Sequence, residues 1–217
     1  MAHQGLLAFL LVLVLVALAI SGIAPYDRLT WLMEVAPVLI ALPVLIATRH
    51  RAPLTRLLYV LIAVHALVLI VGGAYTYARV PLGFWLQEAF HLGRNPYDKV
   101  GHFMQGLVPA LLAREILLGH GYLASLRMAN FLSLCVALAV SAFYELIEWW
   151  AALALGQGAD EFLGTQGYVW DTQSDMFMAL LGAGVALSLL TRLHDRQLSA
   201  LEDRAADRGG ERSRRVH

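Results

Sequence analysis

The chain has 217 residues, of which 59% are hydrophobic and only 15% charged. A water-soluble domain of this length has too little interior to hide so much apolar surface, so the composition points to an integral membrane protein. Sixteen Lys and Arg balance sixteen Asp and Glu, which leaves no overall pull toward nucleic acid. The lone cysteine, Cys135, excludes an intramolecular disulfide and, lying in an apolar run, is expected to pack in the core.

Residues 5–20 ("GLLAFLLVLVLVALAI") have the apolar character of a signal peptide, but no Lys or Arg precedes them and further apolar segments follow. They are predicted to form an uncleaved first spanning helix. A hydrocarbon core of roughly 30 Å needs about 20 helical residues. On that ruler six spans are predicted, at 5–24, 31–48, 55–74, 99–119, 129–152 and 171–192. The fold class is therefore all-α, a polytopic bundle of six transmembrane helices, because backbone groups in lipid must be satisfied within their own segment.

Pro37 and Pro43 are expected to distort the second span, and His65, in the middle of the third, to hydrogen-bond a neighbouring helix. Gly72, Gly73 and the Gly182-Ala183-Gly184 run read as close-packing positions between helices. The stretch 81–92 ("PLGFWLQEAFHL") is too short to span and reads as an amphipathic helix at the interface. Arg114 and Glu115 read as an interfacial pair closing the fourth span. From Ser199 the hydrophobicity ends, so 1–198 forms the transmembrane domain and 199–217 a charged, disordered tail. One face of the six-span layout carries twelve of the Lys and Arg residues and the other four. The positive-inside rule then puts both termini in the cytoplasm.

Three same-face pairs of ionisable residues converge on the outer side. "NPYDKVGHFMQG" opens the fourth span and sets Asp98 and His102 four apart; the fifth ends with Glu145 and Glu148, three apart; "WDTQSDMFM" opens the sixth with Asp171 and Asp175, four apart. Glu34, in the second span, belongs to the same side. A charge within a span costs about 2.5–3.5 kcal/mol on insertion scales and faces a cavity or a partner. Clustered carboxylates repel, so some hold protons or a cation sits among them. Each residue alone is more often a helix-end charge or, around "EWW", part of an aromatic belt; it is the convergence that argues for a site. An oxygen-rich set without thiolates suits Mg²⁺, Ca²⁺ or Mn²⁺. Glu145, Glu148, Asp171 and Asp175 are the candidate metal ligands. His102, oriented by Asp98, is the candidate base or nucleophile. Lys99, Arg94, Gln105 and Tyr144 are assigned to substrate. A haem bracketed by His65 with His102 or His91 is set aside because their expected depths differ.

"PYDKVGHFMQG", "FYELIEWW", "FLGTQGYVWDTQSDMFMALLGA" and "SGIAPYDRLTWLMEVAPV" resemble the YjdF-type bacterial inner-membrane proteins over nearly the whole chain. That resemblance implies an inner-membrane location and no particular reaction. A more distant similarity is to the VanZ-like membrane proteins, linked to glycopeptide resistance, in an Asp-Lys-x-x-His-Phe stretch, a Glu ending the next helix and an Asp-x-x-x-Asp-like stretch opening the one after. Here these positions are Asp98, Lys99, His102 and Phe103; Glu145, with Glu148 beside it; then Asp171, Asp175 and Gly182. VanZ-like proteins have been grouped with base-exchange phosphatidylserine synthases, so the similarity implies a His and a divalent cation acting on lipid head groups. The Arg that VanZ-like chains carry before the last Asp pair is absent, and Arg94 or Arg79 would have to replace it.

The expected function is thus a divalent-metal-dependent enzyme acting on a phospholipid or lipid-linked phosphate at the outer leaflet, with membrane lipids as its partners. The alternatives are a proton- or cation-coupled transporter using the same carboxylates as a relay, and a non-catalytic membrane scaffold or stress-response partner.

Overall fold

The computed structural model describes the backbone of residues 2–155 and 168–214 and the side chains of 4–154 and 168–203. Among the described residues every regular element is helical: α1 Ala2–Ser21, α2 Arg28–Thr48, α3 Arg56–Ala74, α4 Pro81–Ala89, α5 Tyr97–Gly119, α6 Leu126–Leu155 and α7 Asp171–Val185. A π-helical turn, Ala186–Leu190, then leads into α8, Thr191–Arg214. Their starts are chemically marked. Asp27 caps α2, its Oδ1 accepting from Thr30 N at 2.7 Å, and this bond holds the exposed carboxyl below its ordinary range. Thr55 caps α3, its hydroxyl accepting from Leu58 N. Pro81 opens α4, where a missing N–H is harmless.

Four of these helices, α1, α2, α3 and α6, and the continuous run from Asp171 to Asp203 are long and apolar enough to cross a membrane. Phe9, Ile40, Phe131 and Leu189 stand exposed on them, a surface that suits lipid rather than water. α5, the expected fourth span, falls outside this set because Asp98, Lys99, Arg114 and Glu115 interrupt its apolar residues. It is nevertheless the centre of the molecule, packed on α3, α6 and α7. Thirteen of its 23 residues are buried, so its surroundings are protein rather than lipid.

Lipid offers no hydrophobic drive for helices to associate, so close approach depends on small side chains. Ala110, Ala137, Ala179, Ala183 and Ala186 accordingly form the middle of the bundle, all at 0–1% exposure. A methyl group on Gly106 would collide with the Ala179 carbonyl, and one on Gly182 with the Phe103 carbonyl, so α5 and α7 touch backbone to backbone. Gly182 and Gly73 hold helices close as expected, the latter against Glu34 of α2, whereas Gly184 faces open space. Gly72 makes room for a ring rather than a helix: Tyr77 fills the space its side chain would occupy.

Four expectations change. Cys135 is exposed on α6 rather than packed in the core, because the buried stripe of that helix runs through Ala129, Ser133 and Ala137. Arg114 and Glu115, expected as a pair, are 1% and 4% exposed and bond to Asp195 and Thr55 rather than to each other. His65 Nε2 has no hydrogen-bond partner instead of one on a neighbouring helix. The last helix runs to Arg214, where a disordered tail was expected from 199, since Ala, Leu, Glu and Arg are good helix formers with no proline among them.

Candidate functional site

α5 enters the site through a rigid corner. Asn95, 1% exposed, accepts from Tyr97 N through Oδ1 at 3.0 Å and donates through Nδ2 to the Val80 carbonyl at 3.0 Å, tying the start of α5 to the start of α4. From there Asp98, Lys99, His102 and Gln105 follow at helical spacing. The contact of Gly106 with Ala179 fixes the register, because a four-residue step back along each helix leads to His102 and Asp175.

Both ring nitrogens of His102 face oxygen. Nε2 lies 3.3 Å from Asp98 Oδ1 and 3.8 Å from Asp175 Oδ1, while Nδ1 lies 3.0 Å from Gln105 Oε1 and 3.8 Å from Glu145 Oε1. Two groups of possible ligand atoms therefore share this one imidazole: Asp98, His102 and Asp175 on one side, His102, Glu145 and Glu148 on the other. Within each group the atoms lie inside 4.8 Å of one another.

The two sides differ in charge. Lys99 Nζ lies 2.9 Å from Asp171 Oδ1, 2.5 Å from Asp175 Oδ1 and 3.6 Å from Asp98 Oδ2. Arg94 pairs with the same Asp171 oxygen and lies 3.9 Å from Asp98 Oδ2. Both cations also sit over the Tyr168 ring, at 5.0 and 5.8 Å from its centroid. Among the described residues no Lys or Arg pairs with Glu145 or Glu148, and Glu145 Oε1 is buried without a hydrogen-bond partner.

The ten residues expected to act together are thus gathered at one level, but grouped differently from the expectation. Asp171 and Asp175 are engaged by Lys99 and Arg94 rather than standing beside Glu145 and Glu148 as one four-carboxylate set. The helical register decides this: Lys99 lies one turn before His102 on α5 and meets the first turn of α7. The loop that lacks the VanZ-like Arg lies, up to residue 167, outside the described residues.

A cavity of ≈ 210 Å³ opens beside His102, with Glu34, Tyr77, Asp98, Tyr144 and Glu148 among its polar lining. Tyr144 donates to Glu34 Oε2 at 3.3 Å and stands edge-on to His102, with centroids 6.3 Å apart. His65 lines the same cavity, so the expected difference in depth between His65 and His102 does not keep them apart. Tyr77 and His65 carry no motif that marks them in the sequence. Tyr77 and its neighbour Thr76 adopt the left-handed conformation, at φ 49° and 53°, which is uncommon for non-glycine residues and depends on the surrounding structure. Burial, with Glu34 nearby, pushes the Tyr77 phenol well above its ordinary pKa, so it is a neutral hydrogen-bonding group.

A second polar cluster lies at the far end of α5. Arg114 donates through Nη1 to Asp195 Oδ1 at 2.6 Å and through Nε to Asn130 Oδ1 at 2.7 Å, and the same Nη1 meets His194 Nδ1 at 2.7 Å. Glu115 accepts from Thr55 N and Thr55 Oγ1, each at 2.7 Å, and lies 2.9 Å from His194 Nε2. This network joins α3, α5, α6 and α8 with its polar atoms partnered, and it reads as structural.

The chain matches, over residues 6–196, the family described as "Predicted membrane protein (DUF2238)". It is 65% identical over 178 residues to "Inner membrane protein YjdF" of Escherichia coli (strain K12), covering 82% of this chain and 85% of that protein. No solved structure is significantly similar to it. A family match across nearly the whole chain and a relative of this identity together establish that the protein belongs to the DUF2238 family of membrane proteins.

Proposed function

We propose that the protein is a divalent-cation-dependent enzyme of the inner membrane, acting on the phosphate of a phospholipid or lipid-linked phosphate at the periplasmic leaflet. In this reading α5 is a sixth span and both termini are cytoplasmic. The observation that carries it is His102, set between two carboxylate groups beside a cavity of ≈ 210 Å³. Glu145 and Glu148 are the best candidates to hold the ion, because the aspartates on the other side already face Lys99 and Arg94. When bound, the ion supplies positive charge against the phosphate oxygens. An oxygen-rich seat favours Mg²⁺, Ca²⁺ or Mn²⁺.

Asp98 accepts from His102 Nε2 and so sets the tautomer with its lone pair on Nδ1. Gln105, whose amide faces Nδ1 at 3.0 Å, must turn from the ring to the substrate for that lone pair to act. His102 then takes the proton of the attacking water or alcohol as it bonds to phosphorus, and returns it to the departing ester oxygen. Lys99 and Arg94 neutralise Asp171 and Asp175 and hold α5 to α7; Tyr144 borders the substrate space. The purified protein in lipid is assayed for head-group release or exchange with and without chelator. Chelation is expected to abolish turnover, and His102→Ala to lower it by about 100-fold or more. Turnover indifferent to both refutes the proposal.

A cation- or proton-coupled transporter is the second reading, favoured by one observation. His65 Nε2 is buried without a partner on the same cavity, one further titratable group along a path through the bundle. Flux in proteoliposomes that requires Glu148, without head-group turnover, would select it.

A further inference from the structure

The cavity beside His102 has a second wall that the proposed phosphate chemistry does not use. Glu34 of α2 is 4% exposed and accepts from the Tyr144 hydroxyl at 3.3 Å, and Tyr77 lines the same space. Asp98 and Glu148 face the same space, and among the described residues no Lys or Arg lines it. Two of its polar atoms lack hydrogen bonds. One is Asp98 Oδ2, in a side chain only 7% exposed and no nearer than 3.6 Å to Lys99 Nζ; the other is His65 Nε2. Pro37 and Pro109 also line the space. Each lacks the N–H that would bind the carbonyl four residues earlier, so Met33 and Gln105 lose their helical donors beside the cavity.

The space is therefore rich in carboxyl groups, flanked by phenol rings and, among the described residues, without Lys or Arg. Without a bound cation an anion is disfavoured in it, and the possible metal groups among the described residues do not include Glu34. A compact organic cation meets every feature. An ammonium group donates up to three hydrogen bonds, is attracted by a carboxylate and is favoured by aromatic faces. We infer that the Glu34 wall of this cavity binds the ammonium group of an amine-bearing lipid head group, with Glu34 as its counter-ion and Tyr144 and Tyr77 as its aromatic flank. The lipid half of this statement rests on the proposed function and names its head group; the ammonium half rests on the cavity alone.

The test uses full-length protein stripped of metal, in micelles free of amine lipids, titrated with ethanolamine and followed by calorimetry. Saturable binding is expected, about tenfold or more weaker in Glu34→Gln, where a charge-assisted hydrogen bond is lost. Tyr144→Phe should weaken it several-fold, and inorganic phosphate should not compete. In nanodiscs, phosphatidylethanolamine should raise the melting temperature above that in phosphatidylglycerol for the native chain but not for Glu34→Gln. Ethanolamine binding without that lipid effect overturns the lipid half and assigns a free amine. No binding, binding indifferent to both substitutions, or binding of phosphate in its place overturns the inference. Should Glu34→Gln fail to fold, Tyr144→Phe alone decides. Since metal is absent throughout, Mn²⁺ binding that depends on Glu145 and Glu148, measured separately, fails or survives independently of this result.

Discussion

His102 and Glu115 illustrate two uses of a buried polar residue. His102 faces acceptors on both ring nitrogens, and beside it Glu145 Oε1 and Asp98 Oδ2 lack hydrogen bonds. Buried groups left short of partners are rare in native structures, because each forfeits its hydration without replacement. Glu115 is the opposite case, its two oxygens taking Thr55 N, Thr55 Oγ1 and His194 Nε2. Glu115→Ala removes all three contacts and is expected to lower stability by about 3–5 kcal/mol, as for breaking a buried charged network. Glu115→Gln, which keeps an acceptor, should lose less. Thermal unfolding of the purified variants in detergent checks both, and a change in Glu115→Ala as small as that of an exposed substitution would remove the structural role. The sequence placed Arg114 and Glu115 at a helix end, but it held no sign that His194 would return from 79 residues away to meet them.

At the scale of elements, the α5–α7 contact determines the site. Gly106 allows α5 to reach the Ala179 carbonyl, and Gly182 allows α7 to reach that of Phe103. This brings Lys99 to Asp171 and Asp175, and His102 to Asp175. An added methyl at either glycine forces backbones apart and costs about 1–3 kcal/mol as overpacking. Gly106→Ala is therefore expected to lower the melting temperature and weaken Mn²⁺ binding together, while Gly184→Ala, with nothing within 4 Å of its new methyl, changes neither. If Gly106→Ala leaves both readouts at native values, the close contact does not organise the site. The glycines flagged in the sequence as packing positions included Gly182 but not Gly106.

For the whole molecule, α5 is the helix that composition describes least well. Its ionisable residues keep it out of the apolar set, yet its place between α3, α6 and α7 makes that charge tolerable. As a span, α2 sets Arg28 and Arg51 on opposite sides of the membrane. Each is tested as Arg→Cys in a Cys135→Ser background, with a membrane-impermeant maleimide applied to spheroplasts. Arg28→Cys is expected to label and Arg51→Cys only after lysis; the reverse pattern inverts the topology and moves the His102 site to the cytoplasmic leaflet.

Apolar content and run length determined the class of this protein, because lipid accepts only segments that satisfy their own backbone, and they placed α1, α2, α3 and α6 to within a few residues. Helical spacing also determined that Asp98 with His102, Glu145 with Glu148, and Asp171 with Asp175 would share faces. Tertiary structure alone decided which of these pairs meet, and with what. The rotation of one helix against another is set by contacts such as Gly106 on Ala179 and Gly182 on Phe103, and those depend on residues far apart in the chain. That rotation engages Asp171 with Lys99 and Arg94, leaves Glu145 and Glu148 beside His102, and brings Glu34 across the cavity to Tyr144.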